Sequence, residues 1–268
     1  MMNLNRQLAP LSERAWEHIE ENAREVLTLH LAARQLVDFD GPHGWAHSSI
    51  DLGRVEPIET TPAGVILLRR VVRPLVELHV PFFLERSELE RIDRGAADID
   101  LGPLRDAARA LAAAEDMAIF EGCPEGDVPG LLTHSSNPAV PLERDALRIP
   151  ASLTRAMEFL RQAGVSGPYA VALGPEPYAA LDSSAGDGGY PVLRHVERLL
   201  DRPVVWAPTL HGGIVLSLRG GDFRFVSGAD IAIGYESHDD KRVELYLEES
   251  FSAEINGPEA IVPLTLAS

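Results

Sequence analysis

Residues able to do chemistry occur in several places, but their spacings do not assemble a reaction centre. His43 and His47 stand four apart, as two zinc ligands on one helix face would. Gly41, Pro42 and Gly44 interrupt any regular helix there, however, and no Glu follows His43 in the HExxH manner, so a metal site is not expected. Gly186-Asp187-Gly188-Gly189 and Arg219-Gly220-Gly221 have the backbone freedom of a phosphate cradle, yet neither matches a fingerprint with its strand before and helix after, and turns are the expectation. Glu115-Asp116 and Glu248-Glu249 are adjacent carboxylates. On a helix or a strand such neighbours point in different directions rather than converging on a substrate, which leaves them solvated or paired with arginine. Ser183-Ser184 lies in a Gly-rich stretch with no GxSxG elbow and no sequence signature of a base. The lone Cys123 cannot form an internal disulfide and reads as a small hydrophobe. No catalytic residue, cofactor or metal ligand is assigned.

The bulk of the chain favours a stable body over a reactive one. Its 268 residues, 45% hydrophobic and 24% charged, suffice for one large domain or two small ones with a sizeable core. A formal charge of −17 without a basic arm argues against nonspecific nucleic-acid binding, which draws its affinity from clustered cations. No stretch approaches the roughly 18 uninterrupted apolar residues of a membrane span, and Met1 to Pro10 lacks an apolar h-region. Neither a membrane partner nor classical export is therefore expected, and the cytoplasm is the default compartment. Lys241 is the only lysine; arginine supplies the remaining positive charge and is enriched at protein interfaces, although genomic base composition gives the same bias.

The elements follow from periodicity. From Ser12, the residues Trp16, Ile19, Ala23, Val26, Leu27 and His30 recur at spacings of three and four opposite Glu17, Glu20, Glu21 and Glu25, a helix that ends before Asp38. Residues 48–84 read as extended. Val65 to Val72 is rich in branched residues, and Val76, Leu78, Val80, Phe82 and Leu84 alternate with polar or outward positions. Thr60-Thr61-Pro62-Ala63-Gly64 reads as the tip of a hairpin whose arms have too little sequence around them to bury both faces, so a second subunit is expected to cover them. Leu101, Leu104, Ala108, Leu111, Ala114, Ala118 and Ile119 mark a long alanine-rich helix between Asp100 and Gly122. Cys123 to Pro150, rich in Gly, Pro, Ser and Asn, reads as a linker or surface loop at a subdomain boundary. An α/β alternation follows: a helix to Ala163, strand Tyr169 to Leu173, a short helix after Pro175, a Gly-rich loop, a helix near Val192 to Leu200, and strands near Val204 to Trp206 and Ile214 to Leu218. The close is strand-rich, with Asp239-Asp240 at a hairpin tip.

A set of short segments then points to a family. Leu8-Ala9-Pro10, Arg34 with Val37-Asp38, Gly41-Pro42 with Gly44-Trp45, Pro81-Phe82 and Arg94-Gly95 begin it. Glu115-Asp116 with Ile119-Phe120-Glu121-Gly122, Gly167-Pro168-Tyr169, Tyr190-Pro191, Arg219-Gly220-Gly221-Asp222-Phe223 and Ile233-Gly234-Tyr235 continue it. In order and spacing these resemble the encapsulins, bacterial proteins that assemble into hollow icosahedral shells around cargo enzymes. The resemblance covers nearly the whole chain. It implies an α+β tailed-phage major capsid protein fold, with residues 1–47 as the first helix and inner-wall segment of a peripheral domain and 48–75 as an extended loop. Residues 76–134 would complete the peripheral domain with its spine helix, 135–219 would form an axial domain, and 220–268 would return as peripheral strands.

The same resemblance implies partners and sites. Copies of the chain would close a shell of about sixty subunits, carrying roughly a thousand negative charges that intersubunit contacts must outweigh. The fivefold pore would be lined by Asp182, Ser183, Ser184, Gly186, Asp187, Gly188, Gly189 and Tyr190, the aspartates favouring cations around the ring. A C-terminal targeting peptide of a cargo protein, a dye-decolourising-type peroxidase or a ferritin-like iron protein, would bind at Arg34, Asp38, Asp230, Ile231 and Ile233. Alternatively, Arg34 and Asp38 merely pair along the first helix. Some encapsulins stack a flavin on a tryptophan before the segment matching Glu88-Leu89-Glu90; Ser87 stands there, so no flavin is expected. Competing readings are a phage or prophage capsid protein, which a basic inner surface or long scaffolding segment would favour, and a soluble α/β hydrolase.

Overall fold

Ser12 starts the first helix for a local reason: its hydroxyl accepts the Ala15 N–H at 3.1 Å, and α1 (Glu13–His30) then turns Ala15, Ile19, Ala23 and Leu27 inward. The computed structural model describes residues 4–58, 62, 64–186 and 189–267. After a 3₁₀ turn, Ala33–Gln35, come β1 (Asp38–Asp40), β2 (Ser49–Ile58), β3 (Leu67–Pro74) and β4 (Val76–Glu85). Helices α2 (Arg86–Asp93) and α3 (Gly102–Phe120) follow, then β5 (Gly122–Cys123), β6 (Val128–Pro129), α4 (Leu131–His134) and β7 (Val140–Leu142). The next portion runs α5 (Ile149–Gln162), β8 (Tyr169–Leu173), α6 (Pro175–Ser183), α7 (Val192–Leu200), β9 (Val205–Trp206) and β10 (Gly213–Ser217). Three strands, β11 (Phe223–His238), β12 (Arg242–Ile255) and β13 (Ile261–Leu266), end the chain.

Two sheets carry the cores. In the four-stranded sheet the order is β1-β11-β12-β4, with β1 parallel to β11 and the other pairs antiparallel. The inward residues of β4 and β12, Phe82, Leu84, Val243, Leu245 and Leu247, meet Ile19 of α1 and Leu104 and Leu111 of α3. Strand alternation explains the choice of face, since each of these is two residues from the next. The five-stranded sheet has the order β7-β13-β10-β8-β9 and packs Val171, Val215 and Val262 with Leu153 and Leu160 of α5. That second core runs on to Phe120, Phe225 and Phe251, so the two sheets share a continuous apolar seam.

Two expectations change here. Residues 123–150 are not simply a linker: Val128, Leu131, Val140 and Leu142 are buried, and β7 pairs in parallel with β13. The apolar residues scattered among the glycines and prolines anchor each short piece. Nor do residues 220–268 return as a block, because the strands from Arg219 onward leave the four-stranded sheet at Ile255 and β13 joins the five-stranded one. Helix α3 and the closing β11–β12 hairpin fall where periodicity put them.

Two glycines in the quoted segments have steric reasons. A Cβ on Gly41, at φ +139°, would stand 2.5 Å from the Ser227 carbonyl oxygen, so the 38–44 segment can lie against β11 only without one. At Gly234 the ring of Tyr246 occupies the place a side chain would take.

β2 and β3 form an antiparallel ribbon, paired from Ser49 opposite Pro74 to Ile58 opposite Leu67 with a bulge between Asp51 and Arg54, that projects from this body. Ten residues of extended chain reach about 30 Å. Val55, Ile58, Val65, Ile66, Leu67, Leu68 and Val72 are all exposed, Ile66 to 84%. Thr60, Thr61 and Ala63 of the expected tip lie outside the described residues.

Candidate functional site

A groove of about 510 Å³, lined by polar and apolar side chains alike, runs between α1 and the outer edge of β11. Ala23, Leu27 and Leu31 form one wall, Ile231 and Ile233 the other, and Leu247 of β12 lies at the bottom. Leu4 and Arg6 close one end: the Tyr235 N–H donates to the Leu4 carbonyl oxygen at 2.9 Å, while Arg6 pairs with Glu20 and stacks 4.1 Å from the Trp16 ring centre. Arg34 and Asp230 stand at the other end.

The β11 edge beside this groove is open. His43 and Gly44 donate backbone N–H groups to the carbonyls of Ser227 and Gly228, and Leu4 meets Tyr235 further along. Between these points, from Ala229 to Gly234, no backbone group among the described residues answers the edge. The Ile231 N–H is met by the neighbouring Asp230 side chain at 2.9 Å. Such an edge accepts an added strand.

Arg34 is held by carboxylates from three elements, α3, β11 and β12. Its Nε donates to both Glu115 oxygens at 3.0 and 2.8 Å, its Nη1 to Asp230 Oδ1 at 2.7 Å and its Nη2 to Glu249 Oε2 at 2.7 Å. Glu115 and Glu249 are buried, whereas the Asp230 side chain keeps 45% of its exposure. The guanidinium also lies 5.3 Å from the Phe39 ring centre and 4.9 Å from that of Phe225. Burial works against the charged guanidinium, but the Glu115 hydrogen bond and the Glu115 and Glu249 charges outweigh it and raise its pKa. Asp116 aims the turn that carries Arg34, its two oxygens accepting the Ala32 and Ala33 N–H groups at 3.1 and 2.9 Å. Burial, only partly offset by those N–H groups, pushes the Asp116 carboxyl up to about 7.

The structure brings Arg34, Asp230, Ile231 and Ile233 to this groove. Asp38 lies elsewhere. It begins β1, not a continuation of α1, and its Oδ2 accepts the Gly221 N–H at 2.6 Å, bracing the Arg219–Asp222 turn beside a separate small cavity. Arg34 therefore does not pair with Asp38 along a helix; α1 ends at His30.

The other candidate segment, 182–190, is a short self-bonded connection. Asp182 and Ser183 belong to the last turn of α6, where the Ser183 hydroxyl donates to the Ala179 carbonyl at 2.7 Å. Gly186 N–H donates to the Tyr190 carbonyl at 2.8 Å, Gly189 N–H to that of Gly186 at 3.0 Å, and Val192 N–H to that of Ser184 at 3.0 Å. Tyr190 is exposed, and Asp187 and Gly188 lie outside the described residues. His43 and His47 do approach, with ring centres 4.8 Å apart, and His43 meets Asp40 at 3.0 Å. Among the described residues no group of three or more His, Cys, Asp or Glu is placed to hold a metal ion, and no helix is long and apolar enough to cross a membrane.

Comparison with known proteins decides between the readings. Residues 1–252 match the family described as an encapsulating protein for peroxidase. The type 1 encapsulin shell protein of Rhodospirillum rubrum is 49% identical over 98% of this chain and 96% of its own length. That of Mycobacterium tuberculosis is 42% identical over 99% of this chain and its own full length. The chain belongs to the encapsulin shell-protein family.

Encapsulin membership agrees with the fold. A virus-like particle from Pyrococcus furiosus superposes with a TM-score of 0.65 at 15% identity over 93% of this chain and 98% of the other. The protein of Gordonia phage Cozz does so at 0.57 and 13% identity over 89% and 87%. The fold is thus that of tailed-phage major capsid proteins, here in an encapsulin sequence. Sequence reasoning missed Glu115 and Glu249 as one buried site, although signals existed. Glu249 shares a strand face with Leu245 and Leu247, and Glu115 follows Leu111 by one helical turn, so both carboxylates had to point into apolar surroundings. Glu248, one residue earlier, faces the opposite side toward His79.

Proposed function

We propose that this chain is the noncatalytic subunit of a closed icosahedral shell of about sixty copies, built in the cytoplasm around a cargo enzyme. The ribbon carries the reading: its exposed branched residues find no cover on their own body, and a neighbouring copy supplies it. The five-stranded unit would meet its mates at the vertices, with the 182–190 connection lining the pore. The ring of Asp182 and Asp187 favours cations there.

The groove between α1 and β11 would receive an extended C-terminal peptide of the cargo, a peroxidase or a ferritin-like iron protein. Its apolar walls suit one or two Leu or Ile side chains, the open edge from Ala229 to Gly234 suits main-chain pairing, and Arg34 with Asp230 marks one end. Leu4 and Arg6 join Arg34, Asp230, Ile231 and Ile233 as contacts, and Asp38 acts at one remove, through the turn it braces. The peroxidase in the family's description supports the first cargo class.

Co-expression with a cargo peroxidase tests the groove. Ile231→Asp, at the half-buried groove position, is expected to leave shells intact while lowering cargo per shell by about 30-fold, the effect of losing roughly 2 kcal/mol at an apolar contact. Unchanged loading would remove the groove from the account and leave the shell standing.

A further inference from the structure

Glu115 and Glu249 come from different elements, α3 and β12, yet both reach one nitrogen: Arg34 Nη2 lies 2.6 Å from Glu115 Oε2 and 2.7 Å from Glu249 Oε2. Both carboxylates are buried, and the second oxygen of Glu249 has no hydrogen-bond partner. Around Glu249 stand Arg34 from the 3₁₀ turn, Glu115 from α3 and Asp230 from β11, with Asp116 of α3 beside Glu115 and Arg34, while its partner on β4 is the uncharged Leu78. One cation faces four carboxyl groups. Full ionisation would set like charges together at two carboxyls that water does not reach, and an orphaned buried oxygen is costly unless a proton gives it a partner.

We propose that the buried Glu249 carboxyl keeps its proton at neutral pH, and that this proton lets β12 pack against α3 behind the groove. Removing it with alkali sets two buried carboxylates against each other across α3 and β12, frees Arg34 from its fixed position and loosens the wall that carries Asp230, Ile231 and Ile233. Burial, and then the Glu115 charge, hold the Glu249 carboxyl well above the usual carboxylate range. A group with its folded-state pKa raised contributes stability in its protonated form, and that contribution fades as pH rises through the raised value. The window therefore opens above the unfolded-chain carboxylate value of about 4.3 and closes at the raised one. It does not depend on what the groove binds.

Infrared spectra of purified, cargo-free protein read the proton directly. At about pH 7 the wild type is expected to show the C=O stretch of a neutral carboxylic acid beyond the contribution of Asp116, shifted in D₂O and fading as pH is raised. The wild type minus Glu249→Gln difference should retain that band, because Gln keeps an N–H to offer Glu115 but carries no acid proton. Thermal midpoints should fall as pH is raised above about 5 in the wild type and clearly less in Glu249→Gln. A difference spectrum without an acid band, or a variant with the wild-type pH profile, overturns the proposal. Should the variant fail to fold, absence of the band from wild-type protein at about pH 7 overturns it equally.

Discussion

Excising residues 51–72 and joining Ile50 to Arg73 through Asn-Gly is expected to abolish shell formation while leaving a folded subunit. Ile50 and Arg73 face each other across the ribbon, so a two-residue turn closes the gap without moving either strand. Ile50 is the buried residue of β2, and the apolar side chains beyond it contribute to neither core cluster. The body should therefore keep its secondary structure and its unfolding transition. What disappears is a two-stranded ribbon of about 30 Å, too thin to be stable alone and apolar along its length. Sedimentation should show a species of one or a few subunits at concentrations where the intact chain forms particles. Particles of undiminished size and yield would show that the ribbon is decoration and that closure rests elsewhere.

Arg34→Ala is the second large effect. It leaves Glu115 and Glu249 buried with no cation, and removing one partner of a buried ion pair costs about 3–5 kcal/mol. For a chain of this size that lowers the calorimetric midpoint by about 10 °C. Arg34→Lys should fall between, since an ammonium cannot reproduce the fork that serves Glu115 and Glu249 together. The loss in Arg34→Ala should shrink on acidification, because protonating the stranded carboxylates removes the charge that lacks a partner. Replacing all three as Arg34→Met, Glu115→Leu and Glu249→Leu should recover most of the midpoint, as apolar side chains of similar volume suit the seam. A single variant with an unchanged midpoint would contradict the reading of Arg34 as the cation that makes this joint tolerable.

These two predictions draw on different depths of sequence legibility. The ribbon could be read directly: branched residues from Val65 to Val72 had no surrounding sequence to cover them, and the structure leaves them bare. Likewise α1, α3 and the β11–β12 hairpin follow from local periodicity, which needs no knowledge of the partner surface. The Arg34 joint could not be read this way, because Arg34, Glu115, Asp230 and Glu249 meet only after β12 has paired between β11 and β4. Adjacent residues Glu248 and Glu249 look alike in sequence, and pleat alternation sends one to the surface and one to the core. Cys123 to Pro150 misled for a related reason. Turn-forming residues dominate its composition, yet Val128, Leu131, Val140 and Leu142 each fill a slot prepared by distant strands. The family resemblance brought Arg34 and Asp38 together as peptide contacts; the fold separates them, giving Asp38 to the Gly221 turn.

Negative-stain microscopy of the purified full-length chain, expressed without any cargo, tests the central claim most directly. Uniform, closed, hollow particles are the expected result, with the β2–β3 ribbon of each subunit lying on its neighbour when the images are reconstructed. A population of single subunits or small oligomers at high concentration, with the ribbon folded back on its own body, would contradict it.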